Sequence, residues 1–450
     1  MNETADYIRD TIVATATPPG KGGVGIVRIS GPRAQVIARQ MLGCVPQPRY
    51  ATRADFLDAD NIAIDSGLAL WFPAPDSFTG ESVLELHGHG GPVVMSLLVD
   101  RAVQLGARRA EPGEFSKRAF LNGKLDLAQA EAIADLIDSG TAQAARAAHR
   151  SLSGAFSTAI DALAERLIRL RLQVEAAIDF PEEEIDFLSD DSLLGQLDTC
   201  ASAFDRLEHQ ASAGRLLRDG LQIVIVGRPN AGKSSLLNLL SGQQAAIVTE
   251  VAGTTRDILR ERIDIAGLAV ELVDTAGLRE DPDRIEAEGI RRAREAMSAA
   301  DAVLWIQDAT VEDTALEGAT LPDDVPVIIL RNKIDLTGET PGALSDRPAI
   351  LKVSAKTGSG IEALEATIRQ IAGYCDLGEG AFTARQRHVE ALCDAAAHFA
   401  TGQKALAEQK AGEILAEELR LAQASLGAIT GEFSSDELLG RIFSEFCIGK

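Results

Sequence analysis

Residues 221–235 read LQIVIVGRPNAGKSS, and this stretch decides the fold of the region around it. The apolar run LQIVIV suits a strand that is buried on both faces of a mainly parallel sheet. It leads directly into the pattern G-x-x-x-x-G-K-[ST], and SSLLNLLSG then has the pattern of a helix. A strand, a glycine-rich loop and a helix in this order predict a P-loop, which binds nucleotide phosphates.

The residue types in this loop suit that chemistry. Glycines allow backbone amides to face the phosphates, Lys233 can reach the β and γ oxygens, and the Ser234 hydroxyl can ligate Mg²⁺. The alternative is a glycine-rich turn without a ligand, which the strand before the loop and the helix after it disfavour. We therefore expect phosphate contacts from Asn230, Ala231, Gly232, Lys233, Ser234 and Ser235.

Three further motifs follow in order at the ends of predicted strands: DTAG (274–277), NKID (332–335) and SAK (354–356). The first would bring a carboxylate near Mg²⁺ and a backbone amide near the γ-phosphate. Asp335 in the second can accept hydrogen bonds from guanine N1–H and the 2-amino group, which adenine lacks. Together the motifs predict a GTPase with further contacts from Asp274, Thr275, Ala276, Gly277, Asn332, Lys333, Asp335, Ser354, Ala355 and Lys356.

The residue that positions the attacking water is not fixed by these motifs. Leu278 follows DTAG at the position where Ras-type enzymes carry a glutamine for this role. Glu286 or Glu288 could replace that glutamine, and either could equally be a solvated carboxylate on a helix.

A second open point is how developing charge on the phosphates is neutralised. The segment TEVAGTTRD (249–257) is the predicted switch I, in which Thr255 can ligate Mg²⁺. A monovalent cation held there by Asn230 would act as an arginine finger does, and Arg256 and Arg279 are alternatives.

The pattern of the chain predicts three domains. Residues 220–378 alternate strand-like and helical runs, whereas residues 1–124 carry many Gly and Pro turns between short β-like runs. Helical sequence begins at Asp126, whose spacing to Gln129 is that of a capping box. We predict a multidomain fold: an α+β N-terminal domain (1–122), a discontinuous α-helical domain (123–216 and 381–450) and an inserted Ras-like α/β P-loop domain (217–380).

Composition limits the class of partner and the compartment. The net charge is −23, yet residues 1–124 balance 13 basic against 13 acidic side chains. This charge disfavours broad nonspecific binding of nucleic acid, which depends on neutralising phosphates. Five scattered cysteines, no apolar run long enough for a membrane span and no basic n-region before an apolar core predict a cytoplasmic protein.

Several residues outside the P-loop region have competing interpretations. In the terminal EFCIGK, Phe443, Phe446 and Ile448 disfavour a frayed end, while Cys447 is more typical of a small buried hydrophobe than of a nucleophile. His87 and His89 favour hydrogen bonding over metal binding, because a third ligand is not nearby. A ligand carboxylate, a phosphate or only water could meet Lys117 and Arg118.

Long motifs carry a family resemblance over the whole chain. GRPNAGKSSLLN, TEVAGTTRD, DTAGLR, NKID and SAK resemble the Era-like GTPases generally. The stretches at 10–31, 77–91, 112–132 and 440–450 resemble the MnmE (TrmE) family of tRNA-modification GTPases. This resemblance implies a folate-binding N-terminal domain that dimerises, a discontinuous helical domain and an inserted G domain.

The resemblance also implies an activity and partners. It implies a K⁺-dependent GTPase that works with the flavoprotein MnmG, in a heterotetramer that makes most of the tRNA contacts. Together they would use a one-carbon tetrahydrofolate derivative to install a carboxymethylaminomethyl or aminomethyl group at C5 of the tRNA wobble uridine. A membrane partner is not implied.

The resemblance assigns roles to individual residues. Lys233, Asn230 and Glu286 would be catalytic, with Glu286 orienting the attacking water. Mg²⁺ would be held by Ser234 and Thr255, and K⁺ by Asn230, Thr249, Val251 and Thr254. Folate contacts would come from Arg28, Glu85, Lys124 and Lys450, with Cys447 beside them.

A hypothesis of another class is an Era-like GTPase switch that controls an RNA–protein assembly. It would be favoured by a basic RNA-binding domain beside the G domain. The flanking regions here are neutral or acidic, which disfavours it.

Overall fold

The structure, a computed structural model, divides into two compact units. The first contains the residues up to Ala134 and those from Gly427 on, and the second spans Asp135–Leu426. The three domain boundaries predicted from the sequence stay a prediction, since this division groups the P-loop region with most of the helices. The residues that the structure describes are 10–179, 191–243, 260–265, 267–274, 295–311, 324–346, 349–372, 380–432 and 436–449.

The first unit is built on a six-stranded sheet with the order β3-β4-β5-β2-β1-β6. Its pairs are antiparallel except β1 with β6, which are parallel. The strands are β1 (Ile12–Thr15), β2 (Gly22–Ser30), β3 (Thr52–Leu57), β4 (Ala63–Phe72), β5 (Val83–Gly90) and β6 (Arg108–Arg109), and the helices are α1 (Ala34–Leu42), α2 (Pro92–Gln104) and α3 (Glu114–Leu121).

Alternation along β2 and β5 gives the sheet one buried and one accessible face. Val27, Ile29 and Leu86 belong to a core that also contains residues of α1 and α2. Side chains of successive residues point to opposite faces of a strand, so Arg28 and Glu85 lie on the other face. They are direct partners in the register of β2 and β5.

Long helices follow the first unit's sheet in the chain, at positions that the sequence pattern largely predicted. Asp126 and Gln129 form the predicted capping box, since each side chain accepts a hydrogen bond from the other residue's backbone N–H (2.8 and 3.0 Å). This box spans the start of α4, which contains the boundary between the units. The helices are α4 (Leu127–Asp138), α5 (Ala142–Leu152), α6 (Ala155–Asp179) and α7 (Asp191–Asp219).

The P-loop region forms a seven-stranded sheet with the order β12-β13-β11-β10-β7-β9-β8. Its five inner strands are parallel, and β8 and β12 add antiparallel edges that the sequence pattern had not indicated. The elements are β7 (Leu221–Gly227), α8 (Lys233–Gln243), β8 (Arg260–Ile265), β9 (Leu268–Asp274), β10 (Ala302–Asp308), β11 (Val327–Asn332), α9 (Ile334–Thr337), β12 (Gly342–Asp346), β13 (Ala349–Lys352) and α10 (Ile361–Ile371).

Three more helices follow the P-loop region: α11 (Gln386–Gln409), α12 (Gly412–Thr430) and α13 (Asp436–Ser444). The last of them belongs to the first unit. The predicted multidomain class, with an α+β region, helices and an α/β P-loop region, is confirmed. Among the described residues, no helix combines the length and apolar character that crossing a membrane requires.

Candidate functional site

The loop between β7 and α8 has the backbone of a phosphate-binding loop. Asn230 adopts a positive φ of 65° and Gly232 one of 100°, where a Cβ would overlap the side-chain amide of Asn332. Lys233 Nζ donates to the carbonyl oxygens of Gly227 (2.8 Å) and Arg228 (3.1 Å). The lysine is therefore held over the loop, and the residues after it begin α8, whose N-terminus favours anions.

Asn332 connects the phosphate loop to the segment that follows β13. Its side chain is 2% exposed, donates to the Ala231 carbonyl (2.9 Å) and accepts from the Ala355 backbone N–H (2.9 Å). Both ends of the amide are thus used inside the protein. The sequence motif predicted Asn332 as a nucleotide contact, and the structure gives it this bracing role between two loops.

The predicted base-recognising residues meet at the ends of β11 and β13. The Ser354 hydroxyl donates to Oδ1 of Asp335 (2.7 Å), and Asp335 is exposed. This bond fixes the carboxylate and leaves its second oxygen for other donors, as guanine recognition requires. Ser354 itself is completely buried.

Lys333 lies beside this carboxylate in the sequence, at a φ of 70°. Its Nζ forms a 2.6 Å ion pair with Oδ2 of Asp308, at the end of β10. Burial opposes ionisation of Asp308, but the hydrogen bonds from Lys333 and Thr310 outweigh it and lower the pKa of this carboxyl. The pair fixes the turn from which Asp335 projects.

The remaining predicted contacts of the nucleotide site fall partly inside and partly outside the described residues. Asp274 ends β9, as predicted, next to β7. Ser234 and Ser235 are exposed in the first turn of α8, and Lys356 follows Ala355 in the turn after β13. The predicted residues Thr249, Val251, Thr254, Thr255, Thr275, Ala276, Gly277 and Glu286, together with Lys450, lie outside the described residues.

A second candidate site lies on the accessible face of the first unit's sheet. Arg28 Nε and Glu85 Oε1 are 2.8 Å apart, and the guanidinium also donates to the Gly449 carbonyl (3.4 Å). The guanidinium carbon lies 5.6 Å from the ring centre of Phe78 and 5.7 Å from that of Phe115. The structure thus brings together two of the predicted folate contacts, and adds two aromatic rings that the sequence had not singled out.

The C-terminal segment packs onto the rest of the first unit, as its apolar residues predicted. Phe443 and Phe446 are buried, whereas Ile448 is exposed and does not contribute in the way expected. Ile448 forms an antiparallel bridge with Pro112, and the Gly113 N–H donates to the Cys447 carbonyl (3.3 Å). The segment therefore continues as ordered chain up to Gly449, beside Arg28.

Two predictions about single residues need correction or refinement. Cys447 is exposed, so the expectation of a small buried hydrophobe was wrong. Lys124 donates from Nζ to the Pro75 carbonyl (3.1 Å), in the loop that carries Phe78, and this bond does not involve Arg28 or Glu85.

Arg118 is a structural residue rather than a ligand contact. It is 2% exposed and pairs with Asp10 (2.6 Å), Glu114 (2.9 Å) and Glu81 (3.1 Å). The Ser30 hydroxyl also donates to Glu81 (2.7 Å). The network ties the loop before β5 to α3, and a solvated or ligand-facing arginine at this position is excluded.

Both histidines of LHGHGG hydrogen-bond to carboxylates, as favoured from the sequence. His87 Nε2 lies 3.2 Å from Oε2 of Glu85, and His89 Nδ1 lies 2.7 Å from Oδ1 of Asp65. Among the residues that the structure describes, no group of three His, Cys, Asp or Glu side chains could hold a metal ion.

Comparisons with known proteins identify two family models that together cover most of the chain. The "GTP-binding protein TrmE N-terminus" family model matches residues 11–124, and the "MnmE helical domain" model matches residues 127–447. The tRNA modification GTPase MnmE of Proteus mirabilis is 57% identical over 98% of this chain and 99% of its own length.

Two solved structures share lower similarity with parts of the chain. A GDP-bound GTP-binding protein from Sulfolobus solfataricus is 21% identical, with 47% of this chain and 66% of that chain covered and a TM-score of 0.24. The G domain of the T. maritima FeoB iron transporter is 23% identical, with 34% and 98% covered and a TM-score of 0.25.

Proposed function

Because the chain belongs to the MnmE family of tRNA modification GTPases, we propose that it hydrolyses GTP in a K⁺-dependent reaction and acts with the flavoprotein MnmG on the tRNA wobble uridine. A one-carbon tetrahydrofolate derivative would supply the carbon for an aminomethyl or carboxymethylaminomethyl group at C5. The family match favours this reading over an Era-like switch for an RNA–protein assembly.

The proposal includes an assembly and a compartment. The chain would be a homodimer that joins MnmG in a heterotetramer in the cytoplasm. The net charge of −23 supports a division in which MnmG makes most of the tRNA contacts, since phosphates are bound by basic surfaces. The proposed domains keep the boundaries 1–122, 123–216 with 381–450, and 217–380.

The observation that carries the folate part is the Arg28–Glu85 pair with the Gly449 carbonyl beside it. A pterin ring carries a 2-amino group and an N3–H side by side, and the two oxygens of one carboxylate can accept a hydrogen bond from each. Each oxygen of Glu85 accepts one hydrogen bond, from Arg28 or His87, and retains capacity for another. The acceptor oxygens of Glu85 therefore suit a pterin. Lys124 and Lys450 would be further contacts, with Cys447 close to the reactive carbon.

Calorimetric titration of 5-formyltetrahydrofolate into the full chain tests this part. We expect Arg28→Ala to weaken binding at least about tenfold, because a charged hydrogen-bonding group is lost. A chain that ends at Phe446 should also bind more weakly. Arg53→Ala, an exposed arginine on β3, is the matched control and should bind as the full chain does. Equal affinity of the Arg28→Ala variant and the full chain would refute the folate site.

The nucleotide part of the proposal assigns roles to residues inside and outside the ranges that the structure describes. Lys233, Asn230 and Glu286 would act in catalysis, and GTPases of this kind use Mg²⁺, here held by Ser234 and Thr255. K⁺ would be held by Asn230, Thr249, Val251 and Thr254. In support, the positive φ of Asn230 matches a side chain turned out of the loop toward solvent, where it is exposed.

The cation dependence is tested by GTP turnover in K⁺ and in Na⁺ at matched ionic strength. We expect faster hydrolysis in K⁺, because a bound cation of the right size neutralises charge that develops between the phosphates. Asn230→Ala should remove most of the difference between the two salts. Equal rates of the unmodified chain in both salts would refute the cation assignment.

A further inference from the structure

Asp135 binds two arginines through one nearly buried oxygen. It lies near the end of α4, and its side chain is 5% exposed. Oδ1 accepts from Nε of Arg218 (2.8 Å) and from Nη2 of Arg385 (2.8 Å). The Arg385 side chain is 10% exposed, so this second pair is shielded from water.

The two arginines mark the places where the P-loop region joins the helices. Arg218 lies in the last turn of α7, directly before β7 and the phosphate loop. Arg385 directly precedes α11, in the described segment 380–385 that comes after the base-recognising turn and α10. A single carboxylate therefore binds both the incoming connection, from α7 into the P-loop region, and the outgoing connection, from that region to α11.

The incoming connection is braced on the side of the sheet. Asp301, just before β10, accepts from the Gln222 backbone N–H (2.9 Å) and from Arg215 (3.4 Å). Gly220 has a φ of 83°, and a Cβ there would lie 2.8 Å from the Ala269 carbonyl oxygen. The end of α7 and the start of β7 are thus fixed to each other, and a displacement of β7 would be passed to Arg218.

The outgoing connection is braced on the side of the helices. The Thr383 N–H donates to Oγ of Ser151 (2.9 Å), and the ring of Phe382 stacks on Phe156 with centroids 4.7 Å apart. The Arg385 N–H donates to Nδ1 of His388 (3.0 Å). These contacts leave the Arg385 side chain directed at Asp135.

The acidic neighbours of Arg218 favour its charged form. Burial alone would lower the pKa of Arg218, but the charges of Asp135 and Asp219 outweigh burial and raise it. Two guanidinium groups that share one buried carboxylate lose a partner together if that carboxylate is neutralised. A change at Asp135 therefore affects both connections.

We propose that Asp135 is a positioning residue that transmits the nucleotide state of the P-loop region to the helices. By holding the end of α7 and the start of α11 against α4, it converts a shift of the phosphate loop, which β7 passes to Arg218, into a shift of α4. The proposal goes beyond the proposed function, because it requires neither folate nor K⁺.

Hydrogen exchange measured by mass spectrometry on the full chain, with and without a non-hydrolysable GTP analogue and Mg²⁺, tests this role. In the unmodified chain we expect the analogue to change exchange in peptides that cover α4 and the start of α11. In Asp135→Asn we expect this change to fall at least about fivefold, while phosphate-loop protection and GTP turnover stay within about twofold, since the site is remote. Asp138→Asn, an exposed carboxylate on the same helix, should behave as the unmodified chain does.

Two results would overturn the proposal: an unmodified chain whose α4 does not respond to the analogue, or an Asp135→Asn variant whose α4 responds fully. If Asp135→Asn does not fold, the double variant Asp135→Asn/Arg385→Gln carries the test, because it removes one of the uncompensated buried charges. A purely structural role predicts that the α4 response returns in this variant together with its melting temperature. Transmission through Asp135 predicts that the melting temperature recovers and the response does not.

Discussion

The two candidate sites are assembled in different ways. The nucleotide site uses short loops at the carboxyl ends of parallel strands, and its described residues come from one continuous region of the chain, 227–356. The site in the first unit joins Arg28, Glu85 and Phe115 to Gly449, from a segment that follows the whole second unit. A local loop can be recognised from its own spacing, whereas a site of distant parts depends on how the chain returns to it.

This difference predicts that each site fails independently and by a different route. Substitutions in the nucleotide loops should change ligand choice with little effect on the first unit. Substitutions where the C-terminal segment docks should act first on stability.

Asp335→Asn should give the largest effect, on nucleotide selectivity. An asparagine presents an N–H to guanine donors, so we expect GTP affinity to fall about 100-fold or more. Xanthosine triphosphate, whose C2 carbonyl can accept that N–H, should bind the variant better than GTP does. Competition of both nucleotides for a fluorescent GDP analogue measures this.

Ser354→Ala serves as a graded comparison, because it removes only the 2.7 Å hydrogen bond to Asp335. A loss of about tenfold in GTP affinity is expected from one charged hydrogen bond. Folate affinity should be unchanged in both variants. A parallel loss of folate binding would contradict the independence of the two sites.

Gly113→Ala should destabilise the first unit where the C-terminal segment docks. Gly113 has a φ of 64°, and an added Cβ would lie 2.5 Å from the Phe443 carbonyl oxygen. Strain and the clash together should lower the free energy of unfolding by about 3 kcal/mol. Urea unfolding in a Trp305→Phe background measures this, since fluorescence then comes from Trp71 in the first unit's core.

Gly123→Ala is the matched control for that experiment. Its φ is 65°, almost the same, yet nothing lies within 4 Å of the added Cβ. Only the conformational cost of about 1–2 kcal/mol is expected. Equal losses in the two variants would show that the docked segment does not stabilise the first unit.

Acid should produce the smallest effect, again in the first unit. Burial opposes ionisation of Glu114, but bonds from Arg108, the Glu111 N–H and Arg118 outweigh it and hold its pKa below the ordinary 4.5. A lowered folded pKa contributes stability above about pH 4.5 that is lost as the pH falls through the folded value. Between pH 6 and pH 4, Glu114→Gln should flatten the pH dependence of unfolding by about 1 kcal/mol. An unchanged dependence in this variant would contradict the assignment.

The sequence predicted which described residues of the P-loop region come together, because each motif stands at the end of an apolar strand. Asn332, Asp335 and Ser354 lie together as expected. It did not predict the edge strands β8 and β12, since edge strands need no long apolar run. It also did not reveal that Asn332 braces two loops, which depends on a contact across 101 residues of sequence.

In the first unit the sequence alone predicted less. Cross-strand partners such as Arg28 and Glu85 have no spacing rule between them, so the family resemblance implied a shared ligand but not the ion pair that the structure shows. Arg118 was expected at a ligand or in water and lies at the centre of three carboxylates. Networks of this kind join distant segments, and each residue looks like an ordinary surface charge when the sequence is considered alone.

The discontinuity of the first unit also sets an order of events during synthesis. Residues 10–134 leave the ribosome long before 427–449, and at about 5–20 residues per second the interval is on the order of tens of seconds. Closing a loop of this length costs entropy that later contacts must offset. Until residues 436–449 arrive, Arg28 lacks the Gly449 carbonyl and Gly113 lacks the Cys447 carbonyl. A chain whose synthesis stops between residues 426 and 449 therefore contains every residue of the second unit, while the site at Arg28 still lacks its Gly449 carbonyl.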